Sequence, residues 1–193
     1  MSSLKRIPEA SFFIFLSEAD KDYLLARHIN FLGSSFASRA GFFGQAAVEK
    51  YMKALMVQRE GSYLAHHSLV GLAKECLPFS EYFALAETLE GLETFEHFEQ
   101  IGRYGAAAKK DKNRVDTPEL QIRGAYVWAD TYIHVLDALV AEIRGMIVIE
   151  PTYVDALRKI IDGGEGLSLV DLWRGTEQIR DVLLRDNYSF GQV

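Results

Sequence analysis

One cysteine, Cys76, stands alone among 193 residues. It cannot staple the fold and leaves no zinc-type spacing of thiols, so stability has to come from packing, and the usage is that of a reducing compartment. Prolines number only four, at Pro8, Pro78, Pro118 and Pro151, so long stretches lack the residue that most reliably stops a helix. No apolar run reaches membrane-spanning length. The most conspicuous, Phe12 to Leu16, is too short for a span or a secretory core, and no targeting segment is visible. Cytoplasm is the expected location, with no membrane partner. Positive charge is not in surplus either: the formal net charge of -6 argues against a surface wholly given over to polyanions, leaving a local basic patch as the route to nucleic acid. Neither G-x-x-x-x-G-K-[ST] nor G-x-G-x-x-G occurs, so the familiar phosphate-cradling loops are excluded. The residues three before His28, His66, His67, His97 and His134 are Leu25, Tyr63, Leu64, Thr94 and Thr131, so the Glu-x-x-His of di-iron bundles is absent too. No metal site and no cofactor are expected. Cys76, near a helix end, reads as a small buried residue and not a nucleophile.

What is present is apolar and helical. A hydrophobic content of 49% fills one core, expected over residues 1–150, with an extension at 151–193. The stretch from Phe43 to Gly61 describes one long helix, rich in alanine, which neighbours can approach closely on more than one side. It starts between Ser38 and Phe42, runs to about Glu60, and has Gly61 where a left-handed cap is wanted. Phe43, Ala47, Tyr51 and Ala54 share one side, and Gln45, Glu49 and Lys53 line another at i, i+4 spacing. Spacing alone makes Glu49 and Lys53 a solvated surface pair.

Before it, Ser17 and Asp20 read as the cap and acidic first turn of helix one, with Phe12 to Leu16 as a lead-in packed on the bundle. Leu25, Ile29, Leu32 and Phe36 form its apolar face, and it ends near Gly33 to Ser35. Ser68 caps a short helix through Leu69, Leu72 and Ala73 that Pro78 terminates. Ser80 caps the next, with Leu85, Leu89, Leu92 and Phe95 inward. Its glutamates, Glu87, Glu90, Glu93, Glu96 and Glu99, wind around a solvated face. Thr117-Pro118-Glu119 starts a helix of about seven turns, whose seam is Ile122, Ala125, Ala129, Tyr132, Leu136, Leu139, Ile143 and Met146 and which Pro151 ends. The extension, two short helices around Gly163-Gly164, docks on this bundle or on a second copy. No strand stands out. The class is all-α, an up-and-down bundle of four to five helices with a C-terminal helical extension.

Gln45 to Leu55 (QAAVEKYMKAL), then His67-Ser68-Leu69, then Arg103-Tyr104 before a final long helix, resembles the HEPN domain, a helical bundle. The similarity covers roughly Ser17 to Arg144. The resemblance implies a homodimer, often encoded beside a small nucleotidyltransferase-like partner, that binds nucleotide or RNA. Many relatives are ribonucleases, frequently toxins in toxin-antitoxin pairs. They use an arginine and a histidine with four to six residues between them at the head of the last bundle helix. A histidine can move protons at a ribose 2'-hydroxyl while an arginine stabilises phosphate charge, without a metal.

This chain departs from that pattern: the next histidine after Arg103 is His134, and Gly105 stands where the family usually has proline. The literal spacing recurs only at Arg59 and His66, at the end of helix two, which are the weak catalytic candidates. The expected ligand contacts are Glu49, Lys53, His67, Arg103 and Tyr104, with the basic loop Lys109, Lys110, Lys112 and Arg114. That loop leads into the helix N-terminus at Thr117, where an anion would find backbone N–H groups, and Tyr104 offers a stacking face. The expected function is a non-catalytic HEPN-like binding and partner module for nucleotide or RNA. The alternatives are a metal-independent endoribonuclease with a degenerate or displaced Arg/His site, and a structural dimerisation protein.

Overall fold

The computed structural model describes residues 4–6, 10–33, 36–104, 118–148, 181–182 and 185–187, with side chains described over 12–33, 36, 38–96, 98, 132–148 and the last-named segments. Five α-helices carry the fold among these residues: α1 Ala10–Phe31, α2 Ala37–Glu60, α3 Leu69–Cys76, α4 Ala86–Tyr104 and α5 Pro118–Gly145. The all-α class is thereby established. Two three-residue strands, β1 Leu4–Arg6 and β2 Ser62–Leu64, pair antiparallel with Leu4 opposite Leu64. Sequence reading missed them because three residues are too few for an alternating pattern to emerge. No described helix is long and apolar enough to cross a membrane.

Helix α2 is the hub, in contact with α1, α3, α4 and α5. It ends as its sequence dictates: Gly61 adopts φ 68° and its N–H donates to the Val57 carbonyl at 2.9 Å. Its N-terminal half carries glycines where α4 and α5 come close. A Cβ on Gly41 would lie 2.3 Å from Phe98 Cγ, and one on Gly44 2.9 Å from Phe95 Cε1 and 3.2 Å from the Tyr132 hydroxyl oxygen. Phe95, Phe98 and Tyr132 cluster over this pair, with centroids of Phe95 and Tyr132 5.1 Å apart. Leu16, Ala47, Tyr51, Leu55, Leu72, Leu92, Leu136 and Ile143 fill the interior.

Helix α1 differs from its expectation in both start and face. It begins at Ala10, so Phe12, Phe13 and Leu16 are buried helical residues and Ser17 is a buried interior residue, not a cap. Leu25, Leu32 and Phe36 are exposed, Leu32 at 55%. The inward face belongs instead to Ala19, Asp20, Tyr23, Ala26 and Arg27. These buried charges are paired across to α5. Arg144 Nε donates to Asp20 Oδ1 at 3.0 Å, and Asp20 also accepts from the Tyr51 hydroxyl. Two turns further along α1, Arg27 pairs with Asp137, which accepts from the Tyr23 hydroxyl at 2.6 Å.

Helix α3 starts as expected, with the Ser68 hydroxyl accepting from Gly71 N at 3.1 Å. Ser80 caps a short 3-10 turn, Glu81–Ala84, instead of α4 itself, because Leu85 takes an extended conformation before the helix begins at Ala86. Leu85 is consequently exposed, while Leu92, Phe95 and Phe98 point inward and Glu87, Glu90 and Glu93 face solvent. Helix α5 begins at Pro118 as the Thr-Pro-Glu signal predicts and stops at Gly145, ahead of Pro151; Thr117 and the upper seam residues fall outside the described side chains. Most of 151–193 lies outside the described residues. Its described part touches α1: Arg27 Nε donates to the Val182 carbonyl at 2.9 Å, its guanidinium reaches the Arg185 carbonyl, and Asn187 Nδ2 donates to the Tyr23 hydroxyl oxygen at 2.9 Å.

Candidate functional site

Gln45, Glu49 and Lys53 recur every fourth residue and so rise as one line along α2. The left-handed turn at Gly61 sends the chain back past that line, bringing Tyr63 of β2 and then His67 against it. Lys53 Nζ lies 5.5 Å from the Tyr63 ring centroid, over its face. It also donates to Glu49 Oε1 at 2.7 Å. Gln45 Nε2 donates to Glu49 Oε2 at 3.1 Å and to the His67 carbonyl at 3.4 Å. His67 Nδ1 lies 3.0 and 3.1 Å from the two Glu49 oxygens.

This overturns the solvated-pair reading of Glu49 and Lys53, which are 9% and 5% exposed. Because α2 is the hub, the side opposite its apolar face is covered as well, by the returning turn. Burial by itself would raise the Glu49 carboxyl. The hydrogen bond and charge of Lys53, with a smaller contribution from His67, outweigh it and leave the carboxyl below its usual range. Glu49 is therefore a carboxylate at neutral pH, and the His67 ring donates Nδ1–H to it. The His67 side chain is 58% exposed. Its Nε2 has no partner among the described residues and, in the neutral ring whose Nδ1–H faces Glu49, is the accepting nitrogen.

Beside His67 opens a cleft of about 240 Å³, lined by Asp22, Phe42, Phe43, Gln45, Ala46, Glu49, Lys50 and His67. Lys50 donates to Asp22 across its floor, joining α2 to α1. Burial raises the Asp22 carboxyl in spite of that bond. Phe42 and Phe43 meet edge to face with centroids 5.5 Å apart. Asp22, Lys50 and Phe42 were not singled out from sequence, and Phe43 only as an apolar residue of the helix. Their only signal is the pairing of a charge on α1 with one on α2, which requires the helix register.

A family model for the HEPN domain matches residues 14–118, more than half of the chain. The chain belongs to the HEPN family. The matched span runs from α1 to the first residue of α5 and contains the whole Gln45, Glu49, Lys53 and His67 assembly. No curated protein and no solved structure matches this HEPN chain.

Of the remaining expected site residues of this HEPN protein, only Arg59 and His66 have described side chains. Arg103 and Tyr104 end α4, with side chains outside the description, and Lys109, Lys110, Lys112 and Arg114 lie outside the described residues. Arg59 Nη2 donates to the Met146 carbonyl at 3.3 Å, at the end of α5. His66 packs on α3 instead, its Cε1 2.7 Å from where a Gly71 Cβ would sit. These two weak catalytic candidates thus make their recorded contacts on different elements. Cys76 is buried, and burial with nearby Glu60 and Glu75 pushes its thiol up to about 12, far from a thiolate nucleophile.

Proposed function

We propose that this HEPN protein is a non-catalytic binding and partner module for nucleotide or RNA, acting as a homodimer beside a nucleotidyltransferase-like protein. The supporting observation is the saturation of Glu49: both carboxylate oxygens are taken up by Lys53, Gln45 and His67, all held on one rigid helix and its returning turn. Such a frame presents His67 to a ligand at fixed orientation beside a cleft. The arginine and histidine of the family's nuclease pattern are not spaced for chemistry after Arg103.

A metal-independent endoribonuclease is the second reading, and one observation favours it. An imidazole whose Nδ1 is fixed by a carboxylate while Nε2 faces outward is disposed to accept a proton from a 2'-hydroxyl. Mixed RNA incubated with the protein and a chelator separates the readings. Saturable retention of intact RNA or ATP supports the module; cleavage that disappears in His67→Ala replaces it with the enzyme. Neither binding nor cleavage leaves the structural dimerisation protein. Sedimentation equilibrium tests the dimer, which is refuted by a species of 21.8 kDa alone at tens of micromolar.

A further inference from the structure

We infer that the cleft beside His67 takes the neutral, hydrogen-bond-donating ring of a nucleobase and leaves any phosphate outside. The inference rests on the module reading above and specifies which part of the ligand that site holds.

Charge balance is the first argument. The fixed charges at the cleft come in closed pairs, Lys50 with Asp22 and Lys53 with Glu49. Among the described residues, a phosphate placed there would find no lysine or arginine in surplus. It would have to pull Lys50 from Asp22 and strand that carboxylate, or lie beside the Glu49 carboxylate. Anion-binding sites are built the other way, with cations or backbone N–H groups in excess.

Size and lining are the second. At about 240 Å³ the cleft falls below the ~300–1,000 Å³ that encloses a drug-sized ligand, so it holds one ring system and not a triphosphate or a strand. Phe42 and Phe43 supply an aromatic wall, and aromatic faces hold bases with little dependence on charge.

The third is the direction of the hydrogen bond on offer. Glu49 accepts the Nδ1 proton, so Nε2 of the neutral ring accepts, and its complement is an N–H donor such as an exocyclic amino or ring imino group. Lys53 and Gln45 hold Glu49 in place, Lys53 as a positioning residue outside the cleft and Gln45 as part of its lining.

The experiment is a calorimetric titration of the full chain with the four ribonucleosides, their monophosphates, a ring-methylated analogue lacking the donor, and ribose 5-phosphate. Imidazole and Phe43 resonances are followed by NMR. A donor-bearing nucleoside should bind, shift His67 and Phe43, and match its monophosphate within about threefold at both low and high salt. Deleting the donor, or His67→Ala, should each weaken binding about tenfold, the loss expected for one hydrogen bond. Glu49→Gln, which unlocks the tautomer while leaving His67 in place, should weaken it in the same direction. A single-stranded trinucleotide that binds more tightly than its middle nucleoside identifies an RNA base as the source, and equal affinities a free nucleoside.

Ribose 5-phosphate shifting His67, with affinity that falls steeply in salt, overturns the inference in favour of a phosphate site. Nucleosides that bind without moving His67 or Phe43, and unaffected by His67→Ala, overturn this inference alone and leave the module reading intact. No binding by nucleoside, nucleotide or trinucleotide overturns both.

Discussion

Replacing Lys53 by methionine tests whether the polar line of α2 is a buried network. Methionine keeps the unbranched apolar stem, one atom shorter, but removes the ammonium that donates to Glu49 at 2.7 Å and lies over the Tyr63 ring. Had the pair been solvated, the loss would be under ~1 kcal/mol. Glu49 is 9% exposed, however, and removing one partner of a buried ion pair strands the other at a cost of ~3–5 kcal/mol. Gln45 and His67 still donate to the carboxylate, so the lower end, about 3 kcal/mol at neutral pH, is expected. The acid limb supplies the sign. In the native protein the Glu49 carboxyl lies below its usual 4.5, so its contribution is present above the unfolded value and is lost as pH falls through the folded one. Without Lys53, burial dominates and the folded carboxyl rises above the unfolded value, so the variant's penalty is largest at neutral pH and shrinks as acid protonates Glu49. Urea unfolding of both proteins from pH 7 to pH 4, with m-values checked for equality, measures this. A difference under about 1 kcal/mol at neutral pH, or one that grows in acid, refutes the buried network. Glu49→Gln combined with Lys53→Met should recover most of the loss, because no charge is then left unpaired.

Gly44→Ala should destabilise by ~1–3 kcal/mol, since its Cβ would sit 2.9 Å from the Phe95 ring in a packed cluster; an unchanged melting temperature would show that α4 can move aside. Asn187→Ala should cost ~1 kcal/mol through the lost donor to Tyr23, read by urea unfolding. Arg27→Ala should cost ~3–5 kcal/mol by stranding Asp137, and a loss under ~1 kcal/mol in urea unfolding would contradict a buried pair. Cys76 should ignore a thiol reagent in native protein and react on unfolding, and fast native labelling would contradict its burial and its thiol pushed up to about 12.

Helix α2 was legible because every local signal in it agrees: alanines that favour helix, apolar residues at helical steps, and a glycine at the left-handed end. Helix α1 was half legible. Its end near Gly33 was visible, but its start was not, because Ser17 and Asp20 imitate a cap inside the helix, and nor was its face, because apolar counting assigns the inside to Leu25 and Leu32 while Asp20, Tyr23 and Arg27 occupy it. The partners that make those polar residues buriable are on α5, more than a hundred positions away, and no local pattern reports them. The same limit applied at the site. The Gln45, Glu49 and Lys53 line and the His67 motif were visible, yet an i, i+4 pair looks the same whether water or a returning turn covers it.

The two bridges between α1 and α5 bear on which arrangements the chain refuses. Asp20 and Arg27 lie two turns apart on α1, about 10.5 Å, as do Asp137 and Arg144 on α5. Each helix carries an acid and then a base in chain order, so running antiparallel joins Asp20 to Arg144 and Arg27 to Asp137. Laid parallel, the same helices would set Asp20 on Asp137 and Arg27 on Arg144. A slide of two turns either way from the native alignment would likewise bring together two carboxylates or two guanidiniums. Such mismatches bury like charges, which costs far more than the native pairs contribute. The charges on α1 thus do more to exclude wrong bundles than to strengthen the right one, and a sequence with leucine at all four positions would lose its sense of direction before it lost its stability.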